Sequence, residues 1–202
     1  MVYGKDAKRI MNTSTILQNI SKYITLTSEE EMYFLSLLKE KTYKNKQYIA
    51  QEGEVCKYLS FINNGFCRIF NIDKNGFEHI LSFASQDYWI ADLHSIITQK
   101  AGRFFIQTLE TTEVLQISKI DLDSLYIKVP KFERMFRLLA ENAYVEYQNR
   151  AMQNLGFTAK ERYDAFNEKY AQIKHLLPQK QIALYLGITP EFFSRMKKKH
   201  NS

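Results

Sequence analysis

The hydrophobic pattern of the chain changes its period twice. From about residue 42 to 118, apolar and polar positions alternate in short runs rich in aromatic and β-branched side chains, whereas the flanking segments repeat every three to four residues. The strand-like runs read YLSFI, FCRIFNI, FEHILSFA and TEVLQIS, and Asn64-Gly65 and Asn75-Gly76 between them predict hairpin turns. Many short strands joined by tight turns predict a small antiparallel barrel or jelly roll.

Helix signals lie on both sides of this block. Thr27 or Ser28, followed by Glu30 and Glu31, is a capping-box signature in front of a short amphipathic helix. Ser118 is placed to cap another helix. Pro130 then opens a much longer helical stretch that ends near Leu155.

The long helix carries two apolar stripes. One of them, with Phe132 and Phe136, is expected to pack on the β-domain of its own chain. The other recurs at alternating spacings of three and four, which is a heptad pattern, and its asparagines would fix the register of a parallel dimer. The alternative is one wide stripe that faces the core of a single chain. The predicted dimer interface consists of Met135, Leu138, Asn142, Val145, Asn149 and Met152.

The last quarter of the chain predicts a compact group of helices. Gly156 breaks the long helix, and Thr158 with Glu161 forms a second capping box. Only KHLLP separates the helix that follows from Gln179. The inward-facing side chains of that helix are Tyr163, Phe166, Tyr170 and Ile173.

Residues 179–199 predict two short helices joined by a tight turn. Gly187 occupies a turn position that favours positive φ, Pro190 fits the first turn of the second helix, and Phe193 and Met196 would face inward. This is the helix-turn-helix arrangement, which places its second helix in the DNA major groove; an ordinary α-hairpin with a solvated basic end is the alternative. The predicted DNA-contacting residues are Gln179, Lys180, Thr189, Glu191, Phe192, Ser194, Arg195, Lys197, Lys198 and Lys199.

The charge distribution favours double-stranded DNA as the partner of this unit. The net charge of the 202-residue chain is +6, and residues 157–202, with nine Lys or Arg against four Asp or Glu, carry +5 of it. The length accommodates one mid-sized domain and a small one. We therefore expect an effector domain at 1–129, a dimerisation helix at 130–156 and a DNA-binding domain at 157–202.

Several classes of protein and site are not indicated. Cys56 and Cys67 are the only cysteines and are expected to be small hydrophobes in strands, not zinc ligands or a disulfide framework. No apolar run reaches the roughly 18 residues of a membrane span, and the N-terminus lacks the apolar core of a signal peptide. We expect a cytoplasmic protein with no metal and no cofactor, and no motif predicts an enzyme. Met11 is an alternative natural start, with residues 1–10 an extension.

The order of strand block, long helix and C-terminal helix-turn-helix resembles the Crp/Fnr superfamily of bacterial transcription regulators. The resemblance covers residues from about 14 to 200. AKERY at 159–163 with PQKQIALYLGIT at 178–189 looks like a subgroup common in Bacteroidetes. The resemblance implies an α+β fold with a cyclic-nucleotide-binding-like jelly roll, and a homodimer whose effector domain biases two recognition helices. Its most specific parts are residues 179–198, 58–83, 87–92 and 113–118.

The chain departs from the superfamily pattern at the effector site. Members that bind cyclic nucleotides place Gly-Glu at the start of a short helix and Arg-Ser or Arg-Thr about ten residues later. In those members the glutamate binds the ribose hydroxyl and the arginine neutralises the cyclic phosphate. Here the stretch reads Ile90-Ala91-Asp92, and Gly102 occupies the arginine position with Arg103 one place late. We therefore expect no dependence on cyclic AMP unless a loop shift brings Arg103 to the pocket. The pocket is expected to be lined by Phe83, Trp89, Ile90, Ala91, Asp92, Arg103 and Phe104, and either to hold a small apolar effector or to be filled by its own side chains.

Other sensing chemistry and details of DNA recognition also differ from those of relatives. Two cysteines are too few for an iron–sulfur cluster, and His79 and His94 are read as ordinary histidines, not haem ligands.

Relatives usually insert a β-hairpin wing before the helix that here begins near Gln179, so the wing is expected to be reduced or absent. Pro190 replaces the arginine of members that read G·C-rich half-sites. We expect a DNA-binding, homodimeric, effector-responsive transcription regulator; the alternative is a small-molecule-binding module whose helix-turn-helix mediates protein contacts.

Overall fold

The computed structural model describes residues 12–200, with side chains up to Lys198. Residues 1–10, Met11 and the side chain of Lys199 lie outside the described part. The helices are α1 (Ser14–Ser21), α2 (Ser28–Ser36), α3 (Leu93–Thr98), α4 (Lys119–Lys128), α5 (Lys131–Gly156), α6 (Ala159–Lys169), α7 (Gln179–Leu186) and α8 (Pro190–His200). The strands are β1 (Lys39–Tyr43), β2 (Tyr48–Ala50), β3 (Tyr58–Asn64), β4 (Phe66–Ile72), β5 (Glu78–Ser85), β6 (Trp89–Ile90), β7 (Phe105–Thr108) and β8 (Thr112–Ser118).

The strands form two four-stranded sheets, with the orders β1-β8-β3-β6 and β2-β7-β4-β5. All of the pairings are antiparallel. The four runs predicted from the sequence correspond to β3, β4, β5 and β8, so the predicted jelly-roll architecture is confirmed. Strands β1, β2, β6 and β7 and helix α1 were not identified in the sequence.

The two Asn-Gly pairs have different roles. Asn75-Gly76 turns the β4–β5 hairpin, as predicted, and Gly76 has a φ of 84°. The hairpin prediction for Asn64-Gly65 is wrong, because β3 and β4, which it connects, pair in different sheets. This turn is a corner of the jelly roll, where a Cβ on Gly65 would lie 2.7 Å from the carbonyl oxygen of Thr111. Glycine is therefore required there by crowding as well as by its φ of 89°.

The predicted helix starts are confirmed. Thr27 with Glu30, and Thr158 with Glu161, form complete capping boxes. Ser118 caps α4, which ends at Lys128. The bonds between side chain and backbone at these starts satisfy N–H groups that helix ends leave without partners.

Three hydrophobic clusters hold these elements together. The first joins α1, α2 and α4 to β3, β8 and the first turns of α5, and Phe34 stacks on Phe132 within it, with ring centroids 4.9 Å apart. The third lies between the two sheets. The second is shared by strands β4 and β5 and by the C-terminal helices. The C-terminal helices thus pack on the jelly roll as well as on one another.

Both cysteines are buried. Cys67 lies in β4 as expected, and complete burial raises the pKa of its thiol to about 12. Cys56 precedes β3, so its assignment to a strand is wrong. Its backbone N–H donates to Ser95 Oγ at 2.8 Å, which ties the loop to α3. Among residues 12–200, no helix has the length and apolar character needed to cross a membrane.

Candidate DNA-binding face and effector cavity

Helices α7 and α8 are joined by a turn of three residues. Gly187 ends α7 in the left-handed conformation, with φ 67° and ψ 35°, as its position predicted. The N–H of Ile188 donates back to the Ala183 carbonyl oxygen at 3.1 Å, and Thr189 Oγ1 accepts from the N–H of Phe192 at 3.2 Å. The sequence therefore sets both the end of the first helix and the beginning of the second.

Helix α8 is amphipathic in the predicted direction. Phe193 has no exposed surface and packs edge-on against Tyr163, while Met196 is half-buried in the same cluster. Lys197 is half-buried, with its ammonium 5.8 Å from the centroid of the Phe193 ring. The exposed predicted DNA-contacting residues are Gln179, Lys180, Thr189, Glu191, Phe192, Ser194, Arg195 and Lys198.

The segment between α6 and α7 consists of turns. No strand occurs within the described residues 157–200, and this segment is held by the side chains of Ile173 and Leu177, which are buried. This segment is therefore a short hydrophobic connection and not a β-hairpin.

The second hydrophobic cluster forms a junction between the β4–β5 hairpin and the C-terminal helices, which we call the domain junction. Phe83 of β5 is its centre, with ring centroids 5.5 Å from Tyr170 and 5.8 Å from Tyr185. The Tyr170 hydroxyl also accepts from the backbone N–H of Phe83 at 3.3 Å. Burial raises the pKa of Tyr170, so its hydroxyl stays protonated.

A buried arginine adds a polar contact to the domain junction. The Arg68 guanidinium donates to both carboxylate oxygens of Glu78, at 2.6 and 2.9 Å. Its Nη1 also donates to Gln181 Oε1 of α7 at 3.0 Å. Because an arginine–carboxylate fork is rigid, this contact fixes α7, and with it α8, against β4 and β5.

A cavity of about 500 Å³ lies between the jelly roll and α5. Of the residues predicted to form the effector pocket, Phe83, Trp89, Ile90 and Ala91 line it. Helix α5 closes the opposite wall, mainly with apolar side chains of the stripe that contains Phe132 and Phe136. These α5 residues include Phe136, Leu139, Ala140, Ala143 and Tyr147.

Charged side chains at the edge of this cavity are largely paired. Lys119 Nζ lies 2.6 Å from Asp123 Oδ1, and Lys169 Nζ lies 2.8 Å from Glu146 Oε2. Burial raises the pKa of the lining Tyr126 to about 12, so this phenol remains neutral. The cavity thus offers an apolar body with polar groups at its margin, as small-molecule sites typically do.

Asp92 has a structural role and does not line this cavity, contrary to the prediction. Its Oδ1 caps α3 by accepting from the N–H of Ser95 at 3.0 Å, and its Oδ2 accepts from the N–H groups of Arg103 and Phe104 at 2.7 and 3.2 Å. A Cβ on Gly102 would lie 3.0 Å from that same oxygen. The Asp92 carboxylate therefore holds the loop at residues 102–104 in place, which is where a phosphate-binding arginine was expected.

Arg103 and Phe104 are also absent from the lining of this cavity. Arg103 is exposed, and only its backbone N–H contacts Asp92. Phe104 instead lines a second cavity of about 440 Å³. The structure therefore does not bring these two residues together with Phe83 and Trp89.

The second cavity lies where the β4–β5 hairpin, the end of α5, α6 and the end of α7 meet. It brings together Arg150, Asn154 and Arg162 with Asn71 and His79. The exposed His79 ring nitrogen Nε2 is 2.8 Å from Asp73 Oδ2. The sequence analysis missed the two arginines, because no local motif marks residues that converge from separate elements. Within the described residues no cluster of His, Cys, Asp and Glu is arranged to hold a metal ion.

The predicted dimer interface divides between buried and exposed positions. Met135 has no exposed surface and belongs to the first hydrophobic cluster, so its assignment to a dimer interface is wrong. Leu138 is half-buried, and Asn142 and Asn149 are exposed. Val145 and Met152 are 52% and 65% exposed, an unusual degree for apolar side chains at heptad spacing.

Comparison with known proteins agrees with this architecture. The cyclic nucleotide-binding domain family matches residues 40–128. The regulatory protein HlyX of Actinobacillus pleuropneumoniae is 26% identical over 182 residues, which cover 84% of this chain and 75% of HlyX.

Two solved structures have a similar fold. The c-di-GMP-responsive global regulator CLP of Xanthomonas campestris has a TM-score of 0.71 at 14% identity, over 87% of this chain and 92% of that one. A regulator of the Crp/Fnr family from Eubacterium rectale has a TM-score of 0.71 at 15% identity, over 89% and 88% of the two chains. The resemblance to a Bacteroidetes subgroup stays a prediction. The chain thus combines a cyclic nucleotide-binding domain at residues 40–128 with two turn-linked helices near its C-terminus, and over most of its length it is similar to regulators of the Crp/Fnr family.

Proposed function

We propose that the protein is a homodimeric transcription regulator that binds double-stranded DNA in the cytoplasm through α7 and α8. The observation that carries this proposal is the division of α8 between a buried Phe193 and an opposite face that exposes Glu191, Ser194 and Arg195. A carboxylate can accept from cytosine N4, and an arginine can donate to guanine O6 and N7. The similarity to the regulatory protein HlyX and the basic charge of residues 157–202 support the same function.

The direct test is DNA binding by an Arg195→Ala variant. Its binding to the operator, identified by footprinting on nearby promoters, should weaken by about 1–3 kcal/mol and its binding to random DNA much less. Equal losses on both DNAs would contradict the assignment of this face. A weak dependence of binding on salt would instead favour a helix-turn-helix that contacts protein.

Dimerisation is proposed through the outer face of α5. Val145, Met152 and Leu155, at 52%, 65% and 84% exposure, leave an apolar surface for which the described part of the chain supplies no cover. A second copy of α5 fits it because Asn142 and Asn149 recur on the same face at the spacing that fixes coiled-coil register. Two recognition helices about 34 Å apart are also what successive major grooves require.

The cavity between the jelly roll and α5 is the proposed effector site, and its ligand is not cyclic AMP. A cyclic phosphate needs a cationic partner, and the expected one, Arg103, does not line the cavity. Of the cations that do, Lys119 and Lys169 are paired with Asp123 and Glu146, and Arg150 donates to the carbonyl oxygens of Ile80 and Tyr185. Calorimetry should detect no binding of cyclic AMP at micromolar concentration, and the nucleotide should leave DNA affinity unchanged. A micromolar or tighter dissociation constant would contradict this, and Arg103→Ala would then be expected to abolish the binding.

A further inference from the structure

The charged side chains that line the proposed effector site, the cavity between the jelly roll and α5, all have partners. The cations are Lys119, Arg150 and Lys169, and the anions are Asp123 and Glu146. Lys119 pairs with Asp123 within α4, and Lys169 of α6 pairs with Glu146 of α5. The Arg150 guanidinium donates to two backbone carbonyl oxygens. A charged ligand would therefore have to compete with existing contacts, which makes an uncharged ligand the better fit.

A continuous aromatic wall lies on one side of this cavity. Trp89 of β6 and Phe136 of α5 meet edge to face, with ring centroids 5.1 Å apart. Tyr126 of α4 contacts the same Phe136 ring, with centroids 5.9 Å apart, and all three residues line the cavity. Because aromatic rings favour edge-to-face and offset contacts with other rings, this wall suits a ligand that itself carries aromatic rings. The volume of about 500 Å³ is within the range of pockets that bind small organic molecules.

The polar atom of Trp89 is turned away from ligand binding. Its indole N–H donates to Asn19 Oδ1 of α1 at 2.9 Å. The Asn19 amide is buried and donates in turn to the backbone oxygen and to Oδ1 of Asp87, at 3.2 and 2.8 Å. Asn19 therefore fixes the indole in place, and Trp89 contributes only its apolar ring to the cavity.

The Tyr126 hydroxyl is a free donor beside the aromatic wall. It forms no hydrogen bond with the described residues, and the side chain is half-buried. Burial, followed by the charges of Asp123 and Glu133, raises the pKa of Tyr126 to about 12, so the hydroxyl keeps its proton. Tyr88 and Tyr147 also line the cavity but are 47% and 53% exposed, so solvent can satisfy their hydroxyls. The wall therefore complements a ligand with one acceptor oxygen.

We propose that the effector is an uncharged aromatic compound with a carbonyl group, whose ring packs on Trp89 and Phe136 and whose oxygen accepts from the Tyr126 hydroxyl. This inference rests on the proposed function, because it assigns a chemical class of ligand to the proposed effector site. The three wall residues come from β6, α4 and α5, so such a ligand would connect the jelly roll to the helix proposed for dimerisation.

The experiment is calorimetry on the full chain with three compounds of similar shape. Benzophenone carries two rings and a carbonyl group, diphenylmethane lacks the oxygen, and diphenylacetate carries a negative charge at the same place. We expect benzophenone to bind about three- to tenfold more tightly than diphenylmethane, which is the contribution of one neutral hydrogen bond. Diphenylacetate should bind more weakly than either, because the cations of the lining are already engaged.

Variants of single hydroxyl groups test the assigned hydrogen bond. Tyr126→Phe should lower the affinity for benzophenone to that for diphenylmethane and leave the affinity for diphenylmethane unchanged. Ser82→Ala removes another half-buried hydroxyl of the lining, and Tyr144→Phe removes an exposed one on α5. Both of these variants should keep the preference for benzophenone. A preference that survives Tyr126→Phe, or that is lost in Ser82→Ala instead, would overturn the proposal.

A second pair of variants places the binding in this cavity. Ala143→Phe adds a ring to the α5 wall of the cavity and should weaken the binding of both uncharged compounds, whereas Ala151→Phe at an exposed position of the same helix should not. If none of the three compounds binds the wild-type protein, this inference and the proposed effector site both fail. If diphenylacetate binds most tightly and Ala143→Phe weakens it, the site stands and the uncharged class is wrong. None of these measurements involves DNA, so they do not depend on the proposed DNA-binding function.

Discussion

The two halves of α5 show how one helix can serve two partners. In the first half, Phe132 and Met135 have no exposed surface and belong to the same cluster as α1, α2 and the jelly roll. In the second half, Val145 and Met152 are as apolar but more than half exposed. The two pairs of side chains differ in exposure because the rest of the chain packs around the first half of α5 and leaves the second half uncovered. We therefore expect another molecule to bind the second half.

The largest expected effect concerns the first half. Phe132→Ala removes a ring that stacks on Phe34 in a fully packed site, and we expect a loss of about 3–5 kcal/mol in the free energy of unfolding, measured with urea. Tyr144→Ala is the control from the second half, because its exposed ring should change stability by less than about 0.5 kcal/mol. Similar losses in both variants would remove the distinction between the halves.

The next effect concerns assembly. A double variant with Val145→Asp and Met152→Asp would bury unpaired charges between two copies of α5, so it should sediment as a folded monomer. The matched control, Tyr144→Asp with Ala151→Asp, adds the same charge beside the predicted interface and should remain dimeric. A wild-type protein that sediments as a monomer at micromolar concentration would contradict the proposed interface.

The contact between Glu30 and Lys131 at the start of α5 should make the stability of the protein depend on pH. The hydrogen bond from Lys131, followed by that from the Thr27 N–H, lowers the pKa of Glu30 below its ordinary value of 4.5. A lowered pKa in the folded state stabilises the protein above pH 4.5, and this contribution disappears as the pH falls through the folded-state pKa. The stability difference between wild type and Glu30→Gln should therefore shrink from pH 7 to pH 3 in urea titrations. A difference that stays constant would exclude the carboxylate as its origin.

The smallest expected effect concerns an ion pair between the second half of α5 and α6. Glu146→Gln removes the ion pair between Glu146 and Lys169, which lies at the surface. Such pairs contribute about 0.2–1 kcal/mol, and salt weakens them. Thermal unfolding at low and high salt should show a small loss that disappears at high salt; a larger loss that persists would mean that Glu146 has a packing role.

Local signals were sufficient for much of the fold. The capping boxes at Thr27 and Thr158 depend on residues three apart. The sequence identified the second one and restricted the first to Thr27 or Ser28. The same Asn-Gly signal correctly identified a hairpin at Asn75 and failed at Asn64, because strand pairing there is decided by distant residues of β6 and β8. A turn motif indicates that the chain reverses and does not indicate which strands pair.

The site was harder to predict for a similar reason. Phe83 and Trp89, both predicted to line the effector pocket, do line one cavity together. Asp92 was recognised as part of the loop, but its bonds to backbone N–H groups of Arg103 and Phe104 have no sequence signature. Heptad spacing alone could not distinguish Met135, which packs in its own domain, from Met152, which is exposed.

Because both native cysteines are buried, an introduced surface cysteine could be labelled selectively. The thiolate is the reactive form, and the raised pKa of Cys67 leaves almost none of it at neutral pH, while burial also raises the pKa of Cys56. Labelling of the native protein would therefore be slow and would report the rate at which the jelly roll opens. A single cysteine introduced on the exposed face of α8 would be labelled far sooner, so a dye or spin label could follow the recognition helix without removal of the native thiols.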